Sequence, residues 1–304
     1  MIGLDFVREG PKAPDFGPVF KMLGVQIDAS EAPQGAFAVG HTETRKAGQE
    51  LVKTFDDAIE TGHMSSKVAE STRGRMVFYE CFAAGRTTNL LLKEFGKLCR
   101  SDRVEDELSS EDLVILVALR SRVAHARPIS ISATFMDTWY IFTDGACETA
   151  DDGSKTGGVG GVLVSSSGQY VQHFGATISQ SWMDYFLKHS RHPIHEIEML
   201  LVLISFYAWN DFISSSQVLR YTDNDSCRYA LMKGAGETPV AKCLVASIME
   251  QEHKLQTKSW CGRVPSHSNT SDDPSRGSCE TLTALGSIGI AVPWSELLPT
   301  LPSL

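Results

Sequence analysis

The sequence predicts an α/β protein, with a mixed sheet and flanking helices in its second half, preceded by a β-hairpin and a mainly helical region. Three observations carry this expectation. First, residues 138–146 read TWYIFTDGA, and residues 157–179 read GGVGGVLVSSSGQYVQHFGATIS, so β-branched and aromatic runs recur with an SSSG turn between two of them. Second, Ile194, Ile197, Leu201 and Ile204 recur at helical spacing after Pro193. Third, strand and helix then alternate: QVLRYTD, SCRYALMKG closed by Gly234, a helical stretch over Pro239 to Lys254, and the strand KSWCGRVPS. That alternation is the order of an α/β layer.

The first part has a different rhythm. VFKMLGVQI, Val19 to Ile27, reads as one strand, EAPQG as a turn and AFAVGHT as the returning strand. From Thr42 the period lengthens, and Ala47, Leu51, Phe55 and Ile59 mark an amphipathic helix ended by Gly62. Further helices are expected over about 65–84 and 89–99. A fourth is expected from an N-cap at Ser110 to about residue 126, where Pro128 stops it. The expected domains are 1–130 and 137–278, with a tail over 279–304.

Composition bounds the function. Of 304 residues 42% are hydrophobic and 21% charged, as in a soluble globular protein. The net charge of −9 argues against a general nucleic-acid coat held by phosphate contacts. Between Met64 and Arg103 eight basic residues oppose four acidic ones, a local basic stretch that reads either as a phosphate-facing patch or as a solvated helix face. The seven cysteines form no C-x-x-C pair, which fits reduced thiols inside a cell. Asp5, Arg8 and Glu9 speak against a signal peptide, and the uncharged stretch Met199 to Trp209 is too short for a bilayer.

Four acids stand out by context. Asp144 follows an apolar strand and precedes Gly145, where a hairpin turn is the competing reading. Glu198 lies four after Ile194 and three before Leu201, beside the apolar stripe of its helix, and a buried carboxylate there calls for a cation. The competing reading solvates both Glu196 and Glu198 at the helix start. Asp223 ends a strand, where ligands gather in open α/β sheets, but N-capping competes there and at Asp272. As a set, four carboxylates suit hard cations such as Mg²⁺ or Mn²⁺.

From about Trp139 to Gly277 the sequence resembles the ribonuclease H domain of retroelement polyproteins. The matching pieces are TDGA, an E-x-E-x-L helix start, a strand-terminal TDN with downstream LMKG, and RVPSxSNxxDxPSR. The resemblance implies a ribonuclease H-like mixed five-stranded sheet with flanking helices. It also implies that Asp144, Glu198, Asp223 and Asp272, spaced 54, 25 and 49 residues apart, are the catalytic and metal-binding set, whereas Asp273 is not. Upstream, KAPDFGPVFKMLGVQID, TRKAGQEL and GRMVFYECFAAGR look like the end of a reverse-transcriptase palm with its thumb and connecting helices. No Tyr-x-Asp-Asp motif occurs, so no polymerase activity is expected of this chain.

What the resemblance implies is a metal-dependent endonuclease that hydrolyses the RNA strand of an RNA–DNA hybrid. It would use two Mg²⁺ ions, with Mn²⁺ as an alternative, about 3.5–4 Å apart. Asp144 would bridge the ions, Glu198 and Asp223 would complete one shell, and Asp272 the other. His267 lies near where some relatives place a mobile histidine that assists product release, and a surface loop histidine is the competing reading. Arg73, Arg75, Arg86, Arg263 and Arg276 are candidates for nucleic-acid contacts. A separate or missing polymerase module is a possible partner, and no membrane is expected. The rivals are a catalytically inactive remnant that at most binds nucleic acid, and a transposase or integrase of the same fold. A zinc site at His189, His192 and His195 would lack a nearby cysteine pair.

Overall fold

A computed structural model of the chain describes residues 17–22, 25–31, 36–40, 44–83, 88–100, 106–126, 129–132 and 137–297. The chain divides between residues 135 and 136 into two compact units.

In the first unit the run Val19 to Ile27 is two strands rather than one. β1 (Val19–Met22) pairs antiparallel with β2 (Val25–Asp28), Val19 opposite Asp28. Folding back gives β1 backbone partners that a lone strand would lack. β3 (Ala36–Gly40) pairs with β2. The helices are α1 (Thr44–Thr61), α2 (Ser66–Ala83), α3 (Asn89–Phe95) and α4 (Ser110–Ala124). The cap of α4 is Ser109, one residue before the expected Ser110. Its hydroxyl accepts from the Asp112 amide at 3.2 Å, while its own amide donates to Asp112 Oδ2 at 3.0 Å, a reciprocal box that Ser110 could not form with Asp112. Leu51, Phe55, Met76, Phe95, Leu116 and Leu119 close the helical core. An unforeseen strand, β4 (Ile129–Ser132), then pairs with β3, making a four-stranded sheet in the order β1-β2-β3-β4.

The second unit opens with an antiparallel meander of β5 (Thr138–Thr149), β6 (Lys155–Ser165) and β7 (Tyr170–Thr177). A short helix α5 (Gln180–His189) precedes the long α6 (Ile194–Ala208) and one-turn α7 (Asn210–Ile213). β8 (Gln217–Thr222) returns parallel to β5. After α8 (Asp225–Lys233) and α9 (Pro239–Lys254), β9 (Lys258–Arg263) lies parallel to β8. The one-turn α10 (Asp272–Ser275) follows. These five strands with helices on both sides make the expected mixed sheet.

Of the segment after Ser278, expected to be a tail, residues 279–297 belong to the fold. α11 (Glu280–Ala284) places Leu282 against Val162 and Val164. β10 (Ile288–Gly289) adds a sixth strand parallel to β7, and α12 (Trp294–Leu297) buries Leu297 in the main core. The full order is β10-β7-β6-β5-β8-β9.

α6 explains the layering. Beyond Glu198 only Ser205 interrupts its apolar run to Phe206, and every residue from Glu196 to Phe206 is buried, so it is covered on all sides. Alternation along β5 then sorts its side chains, with Ile141 and Gly145 toward α6 and Asp144 and Ala146 toward α10. Among the described residues no helix is long and apolar enough to cross a membrane, and six cysteines are free thiols.

Candidate metal centre

Asp144 is not at a turn. Its strand continues five residues further, pairing Asp144 with Gly160, and the hairpin turns instead at Gly153, whose φ is +83°. The Asp-Gly pair serves another purpose. A Cβ at position 145 would stand 2.8 Å from Ile197 Cγ2, so the glycine lets α6 pack against the strand. The Gly145 amide then donates to Glu198 Oε1 at 3.2 Å.

Glu198 Oε2 accepts from Thr222 Oγ1, 3.2 Å away at the end of β8. Asp223 follows directly. The N-cap of α8 is Asn224, which accepts from the Cys227 amide at 3.0 Å, so Asp223 is left for other work. Its Oδ2 accepts from Ser266 Oγ at 2.7 Å. One strand, one helix and one strand end thus bring Asp144, Glu198 and Asp223 together, with one oxygen of each within 4.8 Å of the others. Asp144 and Glu198 are buried and Asp223 half-buried.

Asp272 stands outside this trio. It starts α10, is ion-paired with Arg276 at 3.4 Å and is 43% exposed, yet its charge still bears on Asp144. Asp273 is exposed. α10 sits on a ledge of glycines, because a Cβ at Gly158 or Gly160 would strike the backbone of Ser275, and one at Gly175 the carbonyl of Pro274. From this seat Ser275 Oγ donates to Asp144 Oδ2 at 2.7 Å, and Asn269 Nδ2 donates to Asp144 Oδ1 at 3.3 Å. Ser266, Asn269, Ser275 and the ledge glycines carried no assigned role in the sequence reading. Their signal was the density of small and polar residues in GGVGG and in PSHSNTSDDPSR.

Electrostatics follow from burial. Loss of water raises the Asp144 carboxyl to about 6, helped by Asp223 and Asp272 and opposed by Ser275 and Arg276. The same burial, with Asp144 nearby, raises Glu198 to about 8 against the Gly145 and Thr222 hydrogen bonds. Among the described residues, the hydrogen-bond donors to the trio are hydroxyls and amides, not ammonium or guanidinium groups. Buried acids so arranged want a cation, and an all-oxygen donor set fits a hard divalent one. No cluster forms at His189, His192 and His195, since among the described residues the acidic trio is the one group of three ligands in reach of each other.

The other candidates scatter. His267 is exposed on the turn Ser266–Ser268. Arg263 pairs with Asp225 at 3.5 Å, and Arg276 with Glu148 at 3.3 Å. On α2, Arg73 and Arg75 are exposed, with Arg75 held by Glu50 and Thr54 of α1. Arg86 lies outside the described residues. Glu196 is buried, not solvated. It accepts from Thr238 Oγ1 at 2.8 Å, away from the trio, where Thr238 caps α9.

No protein-family model matches the sequence, and no curated protein matches it at a significant level. Several solved structures are similar. Ribonuclease H1 from the halophilic archaeon Halobacterium salinarum shares 21% identity over 48% of this chain and 98% of its own, at a TM-score of 0.36. A compost-derived ribonuclease H1, solved with an RNA/DNA hybrid, shares 15% over 48% of this chain and 99% of its own, at 0.37. The foamy viral protease-reverse transcriptase with an RNA/DNA hybrid shares 10% over 88% of this chain and 52% of its own, at 0.34. At such identities and scores the chemistry has to be argued from the residues.

Proposed function

We propose that this chain is a divalent-metal-dependent endonuclease of the ribonuclease H type, which hydrolyses the RNA strand of RNA–DNA hybrids. The observation that carries the reading is the convergence of Asp144, Glu198 and Asp223 from separate elements onto one point, the first two buried and the third half-buried, with no ion pair to any of the three among the described residues. Two Mg²⁺ or Mn²⁺ ions are the proposed occupants. When bound they would polarise the scissile phosphate and supply a water acidic enough to attack near neutral pH.

The protein's own part is placement. Asp144, central on β5, would hold the ions together with Glu198 and Asp223, and Asp272 would contribute from its more exposed seat. Burial of the first two keeps bulk water from competing for their oxygens. Attack on phosphorus with the 3′ oxygen as leaving group yields 5′-phosphate and 3′-hydroxyl ends. His267, on the turn whose Ser266 bonds Asp223, is the proposed aid to product release. Arg276, whose charge bears on Asp144, and Arg263 would exchange their acidic partners for substrate phosphates. Arg73, Arg75 and Arg86 are proposed to contact the duplex from the first unit. We read residues 1–130 as the C-terminal part of a reverse transcriptase and residues 137–278 as its ribonuclease H-like domain, in a retroelement product or its remnant.

The test is cleavage of a labelled RNA–DNA hybrid beside RNA and DNA duplexes, with Mg²⁺ and with chelator. Selective, metal-dependent cutting that Asp144→Asn abolishes is expected. A folded protein that leaves the hybrid intact, or cuts it equally well as Asp144→Asn, would refute the proposal.

A further inference from the structure

Residues 266–276 form a strap across the candidate centre and touch two of its three acids. Ser266 Oγ holds Asp223 Oδ2 at 2.7 Å. Asn269 Nδ2 reaches Asp144 Oδ1 at 3.3 Å and the Thr143 carbonyl at 3.1 Å. Ser275 Oγ lies 2.7 Å from Asp144 Oδ2 and equally near the Asp272 carbonyl, so the two oxygens share its one proton. Asp272 rides on the same strap.

The strap has little freedom of its own. Asn269, Ser271 and Ser275 are all at least nine-tenths buried. Ser271 donates from Oγ to Asn269 Oδ1 at 2.7 Å, which points the amide nitrogen of Asn269 at Asp144. The ledge of Gly158, Gly160 and Gly175 sets the height of α10 above the sheet, so the Ser275 hydroxyl arrives at a fixed distance.

We infer that Asn269 and Ser275 are positioning residues that set the metal affinity of Asp144, and that Ser266 does the same, more weakly, for Asp223. A carboxylate oxygen has two lone-pair sites. Each donor on the strap occupies one and leaves the other for a cation. With both oxygens of Asp144 tied, the carboxylate cannot rotate, and its ordering has already been achieved on folding. Partners behind a metal ligand commonly change affinity by about 10–100-fold. The inference rests on the reading of the acidic trio as a metal centre.

The experiment is calorimetric titration of Mn²⁺ into the full chain and its variants, with thermal melting beside it. Ser275→Ala and Asn269→Ala should each weaken Mn²⁺ binding about 10–100-fold, and Ser266→Ala, at a more exposed bond, by less. Leu282→Ala is the packing control, since it thins the same face of the sheet without touching an acid. It should melt lower yet bind Mn²⁺ as the parent does. If Ser275→Ala does not fold, Asn269→Ala decides, because it acts on the other oxygen. Unchanged affinity in the strap variants, or tighter binding because the hydroxyls compete with the ion, overturns the inference while leaving the metal centre standing. A parent protein that binds no Mn²⁺ overturns both.

Discussion

The backbone amide of Gly145 donates to Glu198 Oε1 at 3.2 Å, tying the strand that carries Asp144 to the helix that carries Glu198. The contact exists because position 145 has no side chain. Gly145→Ala would place a methyl group 2.8 Å from Ile197 Cγ2 and 3.5 Å from Leu201 Cδ1, deep in a packed interface. The helix must shift away, at about 1–3 kcal/mol for such overpacking. The variant should melt lower and should also lose most of the stabilisation that Mn²⁺ confers on the parent, because Glu198 moves with the helix. Equal metal stabilisation in both proteins would show that the spacing between β5 and α6 does not matter to the centre.

The raised carboxyls make stability depend on pH in a definite direction. Asp144, held at about 6, and Glu198, at about 8, bind protons in the folded chain at pH values where the unfolded chain has released them. Stability from this source is therefore fully present below about pH 4, near the ordinary carboxyl values, and is lost as pH rises through 6 and then 8. In chelator, the melting temperature should drift down between pH 5 and 8.5 once other groups are controlled with Asp144→Asn. A divalent cation takes the place of the protons, so the rise in melting temperature on adding Mg²⁺ should be larger at pH 8 than at pH 5.5. A metal effect that shrinks with rising pH would contradict the assignment.

Glu196 and Glu198 give a paired test, since both are buried two residues apart on α6. Glu198→Gln keeps the shape and the acceptor for Gly145 while removing a charge that its surroundings disfavour. The metal-free protein should gain on the order of 1–3 kcal/mol at pH 8 and lose hybrid cleavage altogether. Glu196→Ala removes the partner of Thr238 at the start of α9 and should destabilise by about 1–3 kcal/mol while the folded fraction still cleaves. Melting curves and initial rates on one hybrid read both effects.

Much of this arrangement could be read from local pattern, and what could not has a common cause. The strands, α6 and the strand-end position of Asp223 follow from periodicity, which depends on neighbours a few residues away. Spacing put Glu198 beside the apolar stripe. It could not show that Glu196 is buried as well, because α6 is enclosed on every side and a polar face is missing from the pattern. The Asp-Gly of residues 144 and 145 has the composition of a turn, but the long pairing of β5 with β6 overrides it. The glycine ledge and the bonds from Asn269 and Ser275 to Asp144 join residues about a hundred positions apart or more, beyond the reach of any local rule.

The segment after Ser278 offered few sequence signals, having short apolar pieces between prolines and serines. Its contribution is tertiary. Leu282 and Leu297 are almost wholly buried and Val292 is 9% exposed, while Trp294 lies 6.4 Å from Trp182 between ring centres. Backbone bonds add to this, with the Ile290 amide donating to the His173 carbonyl at 2.9 Å and β10 paired to β7. Burying each of the three aliphatic side chains is worth about 1.5–3 kcal/mol. Their sum approaches the whole stability of a typical domain, about 5–15 kcal/mol. A chain ending at Ser278 should therefore be largely unfolded or aggregated at 37 °C, although every candidate acid is still present. A truncated protein that stays soluble and melts within a few degrees of the parent would return the segment to the status of a tail.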